Sequence, residues 1–219
     1  MLDDQPWCAS ARGIRWLRSL ITASNTTFIV TCHYVYSDRV TSAKVRALDA
    51  AIELLGTEGL RALTHVRVDE RAGIPKGSTS NYFRTRTALL TGVAERILER
   101  ELPGVGAAFS PASVEDFVDA LCGLFAYLTG PNRVLTTARL VLFMEGSHDA
   151  GLRAALTRGR ATRVATVFPA LAELGARDPR AAGAAIAACF EGFILHNIAR
   201  HDDTDPRPTF DLVVRAALA

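Results

Sequence analysis

A run of small polar side chains at residues 76–82 gives the strongest indication of function in this sequence. The run contains a cation, three hydroxyls, an amide and a phenol, in the order Lys76, Gly77, Ser78, Thr79, Ser80, Asn81 and Tyr82. Such side chains reach base edges and phosphates in a DNA major groove without steric block, whereas a folding core has no use for them. The pattern therefore predicts a short helix that reads DNA. The alternative is an ordinary exposed helix surface.

The residues before this run predict how the helix is held. Thr64 can cap a first short helix, because its hydroxyl accepts from the free amides of an opening turn. Ala72-Gly73-Ile74 supplies a tight turn, with glycine where a left-handed backbone is easiest. Pro75 suits the start of a second helix, where its missing N–H costs nothing. Together these signals predict two short helices joined by a turn.

Side-chain chemistry assigns candidate roles in DNA binding. The base-edge or adjacent-phosphate candidates are Lys76, Ser78, Thr79 and Asn81. Asn81 matches the paired donor and acceptor of adenine best. The candidates for phosphate contacts, which position a protein without reading sequence, are Thr64, His65, Tyr82 and Arg86. Gly77 is expected to let the helix backbone approach the duplex closely.

Apolar residues spaced by three and four predict longer helices on both sides of the motif. One begins near residue 44 and ends at Gly56 and Gly59, and another is capped by Thr85 and stopped by Pro103-Gly104. Residues 41–102 are therefore expected to form a compact DNA-binding domain of four helices. Phe83 is expected to belong to its core.

A linker rich in Pro, Gly, Ala and Ser precedes a second all-helical region, residues 112–219. The predicted helices cover residues 113–129, a stretch through 135–144, 150–174, 181–199 and 210–217. Between such helices, a ligand pocket is mostly apolar with a few polar groups. The candidates for lining it are Phe125, Arg139, Phe143, Phe168, Phe190 and Asn197.

Composition excludes several classes of protein. A net charge of +2 over 219 residues is far from a non-specific nucleic-acid coat, but a specific reader needs only a local basic patch. The four cysteines form no zinc or redox pattern, so neither a metal nor a cofactor is expected, and free thiols fit a reducing cytoplasm. No stretch reaches the roughly 18 apolar residues of a membrane span. Residues 1–40 are expected to be a poorly ordered extension or a misassigned start.

Signals for catalysis are weak. The sequence contains no G-x-S-x-G, P-loop, H-E-x-x-H or G-x-G-x-x-G motif. Ser147-His148-Asp149 has the residue types of a catalytic triad, but neighbours in sequence do not supply the fixed geometry of one. His196 and His201 are five positions apart, which places them on different faces of a helix. No catalytic residue is therefore predicted, and an enzyme is the weaker hypothesis.

The motif resembles the TetR family of bacterial transcriptional regulators. Members commonly show a helix led by Thr, an Ala-Gly-Val turn, a glycine-containing recognition helix that ends in Phe, then a cation and a Leu-Leu pair. Here these are Thr64, Ala72-Gly73-Ile74, Lys76 to Phe83, Arg86 and Leu89-Leu90. The resemblance is close over residues 44–101 and extends elsewhere only to the helical layout.

The resemblance implies a ligand-responsive DNA-binding regulator. Family dimers use their last two long helices, here about 179–200 and 209–218, and a two-fold dimer calls for a palindromic operator. A small-molecule effector would release double-stranded DNA, and repression is favoured over activation because an operator that overlaps a promoter excludes polymerase.

Departures from the family pattern leave questions open. Thr79 and Ser80 replace the family's Leu-Tyr, and Tyr82 replaces its His. The position of the family's tyrosine, which contacts phosphate, is therefore occupied by Ser80. Tyr82 can supply that phosphate contact instead. Asp69 replaces a small residue, and it either pairs with an arginine or faces water. These departures keep an alternative open, a helical dimeric small-molecule-binding protein without DNA binding.

Overall fold

The computed structural model describes residues 42–106 and 111–219, and over these ranges it is all-α. The helices are α1 (Ala43–Glu58), α2 (His65–Ala72), α3 (Ser78–Tyr82), α4 (Arg86–Gly106), α5 (Val114–Thr129), α6 (Arg133–Glu145), α7 (Ala150–Ala165), α8 (Phe168–Glu173), α9 (Pro179–Arg200) and α10 (Arg207–Leu218). A short 3-10 helix, Leu60–Ala62, joins α1 to α2. The predicted fold class is confirmed. The expectation for residues 1–40 lies outside the described residues.

Hydroxyl side chains start three of the helices at the predicted positions. Thr64 Oγ1 accepts from the Arg67 N–H at 3.3 Å, and Ser113 Oγ accepts from the Asp116 N–H at 3.1 Å. Thr85 Oγ1 accepts from the Ala88 N–H at 3.1 Å. Each bond satisfies an amide of the first turn that has no partner within the helix. The predictions of these helix starts are confirmed.

Three predicted helix boundaries are wrong. Helix α4 continues through Pro103 to Gly106. The single helix predicted over 150–174 is two helices, because Pro169 lies in the first turn of α8 and lacks the N–H that would continue the α7 ladder. Helix α3 begins at Ser78, three residues after Pro75.

One hydrophobic core joins the two regions that the sequence separates. It takes side chains from α1, α2 and α4, and also from α6 and α7. Its fully buried members include Leu54, Leu55, Val68, Leu90, Val93, Leu142 and Leu152. Residues 41–102 and 112–219 therefore share a core.

At Gly56, α1 and α6 approach each other closely. A Cβ atom at this position would lie 2.1 Å from the carbonyl oxygen of Val134. The absence of a side chain thus allows backbone-to-backbone packing between the helix that precedes the turn motif and the C-terminal region.

A second core lies between α5, α8, α9 and α10 and is rich in phenylalanine. The Phe190 and Phe210 rings stack with centroids 5.5 Å apart, and the edge of Phe125 meets both rings at 6.3–6.4 Å. Edge and offset contacts of this kind favour one ring arrangement beyond the area they bury. Cys122 and Cys189 pack against this core, and burial raises the pKa of both thiols. Both thiols therefore act here as small apolar side chains.

One described helix, α9, is long and apolar enough to cross a membrane by length and composition alone, contrary to the expectation that no stretch would be. A single such helix is weak evidence, since core helices of soluble proteins pass the same test. Ile186, Phe190 and Ile194 bury one side of α9 in the second core. Its other side includes exposed apolar residues, such as Leu195.

Candidate nucleic-acid interface and ligand cavity

The turn between α2 and α3 requires two residues with a left-handed backbone. Gly73 ends α2 at φ 60°, and its N–H donates to the Glu70 carbonyl, as a glycine-terminated helix requires. Gly77 precedes α3 at φ 89°, a conformation that side chains disfavour. The helix-turn-helix prediction is confirmed. Pro75 lies inside the turn, where its carbonyl accepts from both the Ser78 N–H (3.0 Å) and the Ser78 hydroxyl (2.5 Å).

Asp69 is the side chain that fixes α3 against α2. Gly77 N–H donates to Asp69 Oδ2 at 2.7 Å, while Thr79 donates to Oδ1 from both its N–H (2.8 Å) and its hydroxyl (2.5 Å). Asp69 is only 2% exposed. Both open alternatives for Asp69 are therefore wrong, since it pairs with no arginine among the described residues and does not face water. It is instead an internal cap for the recognition helix.

The electrostatics of Asp69 follow from this cage of donors. Burial of the carboxylate raises its pKa, but the hydrogen bonds from Thr79 and Gly77, together with the nearby His65, lower it by more. The net result is a pKa below the ordinary value of 3.8. Asp69 therefore stays ionised at neutral pH, because its oxygens already have the donors that water would supply.

Thr79 does not face DNA, and its prediction as a base-edge residue is wrong. Its side chain is completely buried under α3 because the hydroxyl donates to Asp69. Thr79 thus occupies the core-facing side of the short helix. The family's Leu at this position is replaced by a buried polar contact.

The opposite side of α3 is open to solvent. Lys76, Ser80, Asn81 and Tyr82 are exposed, and Ser78 is half-buried. The Ser80 hydroxyl donates to the Gly77 carbonyl at 2.8 Å, as the Ser78 hydroxyl does to Pro75. Both serine oxygens keep lone pairs that can accept from a base or a solvent molecule. Lys76, Asn81 and Tyr82 therefore offer the longest exposed polar side chains of this surface.

The remaining phosphate candidates serve structural contacts as well. His65 Nε2 donates to the Phe83 carbonyl at 2.8 Å, and the Arg86 guanidinium donates to the carbonyls of Leu63 and Leu60, both at 3.3 Å. Arg86 and Thr64 remain exposed, and His65 is half-buried. Phe83 is in the first core as predicted. These contacts tie the end of α3 to α2, and the start of α4 to the 3-10 helix and the residue after it.

Arginines on α2 hold it to α1. Arg71 bridges Glu53 and Glu58 at 2.8 Å each, and Arg67 reaches Glu58 at 2.5 Å. The hydrogen bond from Arg67 is the largest contribution that lowers the pKa of Glu58. Because these pairs are solvent-exposed, they orient α2 more than they stabilise the fold.

A cavity of about 180 Å³ lies between α4, α5, α6, α7 and α9. Most of its wall is apolar, with Leu121, Ile186 and Phe190 among the lining residues. The charged residues along the wall are Arg100, Glu101, Arg139, Arg163 and Glu191. An apolar cavity with a few converging polar groups is the usual form of a small-molecule site.

A buried ion triad lies at this cavity. Glu101 Oε1 is 3.4 Å from Arg139 Nε, and Glu101 Oε2 is 3.1 Å from Arg163 Nη1. The Glu101 and Arg139 side chains are 5% and 7% exposed. Among the described residues, neither oxygen of Glu101 nor Nε of Arg139 has a hydrogen bond of good geometry. Burial lowers the pKa of Arg163; Glu101 opposes this change and Arg139 adds to it.

Two of the six predicted pocket residues, Arg139 and Phe190, line the cavity. Phe125 belongs to the second core, Phe143 packs against the first, and Phe168 packs beside Gly183. Asn197 accepts from Arg133 at 2.9 Å and donates to the Asp202 carbonyl at 3.2 Å, at the far end of α9. These four do not line the cavity, because aromatic spacing along a helix does not reveal which face meets which neighbour.

Sequence reasoning missed Glu101 and Arg163 in the cavity and the role of Asp69 in the turn. Glu101 lies near the predicted end of a helix, and Arg163 lies within a predicted helix where nothing in the local pattern singles it out. A recognisable signal existed only for Asp69, which stands four residues after His65 and three before Ala72 on one side of α2.

The Ser147-His148-Asp149 segment forms the connection between α6 and α7. Asp149 caps α7 by accepting from the Leu152 N–H at 3.0 Å, and it accepts from the Thr87 hydroxyl at 2.7 Å. The Ser147 hydroxyl donates to the Met144 carbonyl at 2.7 Å. The serine and the aspartate thus make local structural contacts.

Comparison with known proteins gives two family matches. Residues 47–93 match the family model described as bacterial regulatory proteins, tetR family, and residues 112–219 match the model described as tetracyclin repressor-like, C-terminal domain. A search of curated proteins found no match.

Several solved structures share the fold. A transcriptional regulator from Rhodococcus sp. Rha1 superposes with a TM-score of 0.68 at 15% identity, covering 81% of this chain and 96% of its own. A TetR-family member from Streptomyces coelicolor A3 gives 0.64 at 23% identity, with 81% and 99% coverage. The multidrug binding protein EbrR complexed with ethidium gives 0.66 at 22%, also with 81% and 99% coverage.

Proposed function

Since the chain belongs to the TetR family of bacterial regulators, we propose that it is a dimeric transcriptional repressor that binds a palindromic operator and releases it when a small molecule occupies the cavity. The observation that carries this proposal is the two-sided character of α3. Thr79 anchors one side to the interior, while Asn81 and Tyr82 of α3, and Lys76 in the turn before it, are exposed to solvent.

The exposed side of α3 suits a major groove. Asn81 can offer a donor and an acceptor to adenine, and Lys76 can meet guanine or phosphate. Tyr82, with 46% of its surface exposed, is placed at the end of α3 to donate its hydroxyl to phosphate. Thr64, His65, Ser80 and Arg86 flank this surface as further phosphate candidates, and Gly77 and Ser78 lie at its leading end.

Exposed apolar surface on the last two long helices supports dimerisation. Leu195 on α9 is 45% exposed, and Leu212 on α10 is 67% exposed. Only 22% of the most apolar window of α9 is buried within one chain. An apolar helix surface of this kind is stabilised when a second copy covers it. Two-fold pairing along α9 and α10 would present two α3 helices to successive major grooves, which requires a palindromic site.

The cavity supports regulation by a small molecule. Its lining includes Glu101 of α4, the helix that begins four residues after the end of α3, and residues of α5, α6, α7 and α9. An effector that prefers one arrangement of α4 lowers DNA affinity by a reciprocal coupling of about 1–3 kcal/mol. Repression follows if the operator overlaps a promoter, and the protein acts in the cytoplasm, where its DNA lies.

Selection from random-sequence double-stranded DNA with the purified full-length protein tests this function. We expect enrichment of a palindrome with half-sites about one helical turn apart. Sedimentation should give a dimer both alone and on that DNA. A monomer would contradict the proposed symmetry. A dimer that enriches no DNA sequence would instead support the alternative, a helical small-molecule-binding protein without DNA binding.

A further inference from the structure

The charges along the cavity wall are unbalanced toward the positive. Three arginines and two glutamates line it, which leaves one positive charge in excess. Two of these charges are paired at the edge of the cavity: Glu191 with Arg160 at 3.1 Å, and Arg100 with Asp49 of α1 at 3.5 Å. The excess therefore belongs to the buried triad, in which one carboxylate, Glu101, lies within ion-pair distance of both Arg139 and Arg163, while Glu191 adds a weaker attraction on Arg163.

Glu101 satisfies these two arginines poorly. It lies at 3.4 Å and 3.1 Å from them, and within the described part of the chain Arg139 Nε–H lacks an acceptor of good geometry. A buried donor without an acceptor is costly, and an arginine fork is matched best by a carboxylate that meets it with two parallel bonds. All three groups therefore keep hydrogen-bonding capacity, and the two guanidinium groups outnumber the single carboxylate that they face.

We propose that the effector is an apolar monoanion, a carboxylic acid with a hydrophobic body, whose carboxylate binds Arg139 and Arg163 and displaces Glu101. This inference rests on the proposed effector role of the cavity. The apolar body lies against Leu121, Ile186 and Phe190. A cation fits less well, because it would approach Glu101 beside two guanidinium groups that repel it.

The displacement also explains how occupancy reaches DNA. Glu101 belongs to α4, whose first turn carries Arg86 and Thr87 next to the DNA-reading motif. When a ligand carboxylate binds the two arginines, Glu101 loses its ties to α6 and α7. The helix that follows α3 in the chain, and that packs against α1, is then released from these partners.

Three probes with one apolar body test the charge of the effector: 4-phenylbutyrate, 4-phenylbutanamide and 4-phenylbutylamine. Isothermal titration of the full-length protein should rank the carboxylate above the amide by about ten-fold or more, with the amine weakest. Equal binding of the three probes, absence of binding by all of them, or tightest binding of the amine overturns the proposal. The last result would make Glu101 the counter-ion of a cation.

Matched variants locate the binding. Arg163→Gln should weaken the binding of 4-phenylbutyrate by about ten-fold. The control is Arg158→Gln, which changes an exposed arginine on the same helix and should leave the binding unchanged. Glu101→Gln should tighten the binding of 4-phenylbutyrate, because it removes the protein carboxylate that competes for the two arginines. Since that expected effect is a gain, it cannot arise from misfolding, and unchanged or weaker binding by a folded Glu101→Gln variant contradicts the exchange.

These results separate from those on DNA binding. If the protein binds 4-phenylbutyrate through Arg163 but enriches no DNA sequence, the proposed class of ligand is supported and the proposed regulatory function is contradicted. If the protein enriches a palindrome but prefers the amine, the proposed regulatory function is supported and the proposed class of ligand is contradicted.

Discussion

Two buried carboxylates, one in the helix-turn-helix and one at the cavity, are held in opposite ways. Asp69, between α2 and α3, receives hydrogen bonds on both oxygens from Gly77 and Thr79. Glu101, at the cavity between α4 and the C-terminal helices, faces two arginines, but neither oxygen has a well-formed hydrogen bond among the described residues. Both side chains are almost fully removed from solvent.

The difference separates a fixed part of the protein from an adjustable one. A buried polar group whose partners are all present specifies one arrangement, because any movement exposes an unsatisfied donor or acceptor. A buried charged group whose hydrogen bonds are incomplete gives up little interaction energy when a ligand with better geometry takes over its partners. The DNA-reading turn is thus rigid by construction, while the cavity is suited to change its pairing.

The largest expected effect is at Asp69. Asp69→Ala leaves three buried donors of Gly77 and Thr79 without an acceptor, so we expect the free energy of unfolding to fall by about 4 kcal/mol. Urea unfolding followed by circular dichroism measures this. Glu70→Ala, an exposed carboxylate on the same helix, should change it by less than about 0.5 kcal/mol. Similar losses in both variants would contradict the anchoring role.

The junction between the two regions gives the next effect. In Gly56→Ala the new methyl group meets the Val134 carbonyl, and we expect overpacking to cost about 3 kcal/mol. Gly123→Ala is the control, since the space around that helical glycine is open. It should stabilise α5 by about 0.5–1 kcal/mol. Equal unfolding temperatures of the two variants would show that α1 and α6 can move apart at little cost in free energy.

A smaller effect is expected on the exposed side of α3. Asn81→Ala should relax base preference at one position per half-site by about 2 kcal/mol, without loss of stability. Arg86→Ala should instead weaken binding to all sequences and flatten its salt dependence. Both are measured by titrating the selected palindrome and its single-base variants at several salt concentrations. If neither affinity nor preference changes, α3 does not read DNA in the proposed way.

Acid gives the smallest effect. Because the pKa of Asp69 is lowered in the folded protein, its contribution is complete above the unfolded pKa and is lost as the pH falls through the folded pKa. The stability difference between the native protein and Asp69→Asn should therefore narrow from about pH 6 to about pH 2. Urea unfolding across this range measures it, and a constant difference would mean that Asp69 is not ionised in its cage.

The sequence predicted the DNA-reading region far better than the cavity. The caps at Thr64, Thr85 and Ser113 and the turn at Gly73 depend on partners within a few residues, so local spacing reveals them. The cavity depends on side chains from five helices. Helical periodicity identifies an apolar face, but it does not identify the neighbour against which that face packs.

By itself the sequence determined the all-α class, the helix-turn-helix and the exposed polar residues of α3, because these rest on backbone propensity, capping and short-range chemistry. Only the tertiary structure decided that Thr79 points inward to Asp69, that α6 and α7 complete the first core, and that Glu101 meets Arg139 and Arg163. The physical reason is that a buried charge takes its partners from whatever helices the folded chain places beside it, and those partners carry no mark in the local sequence.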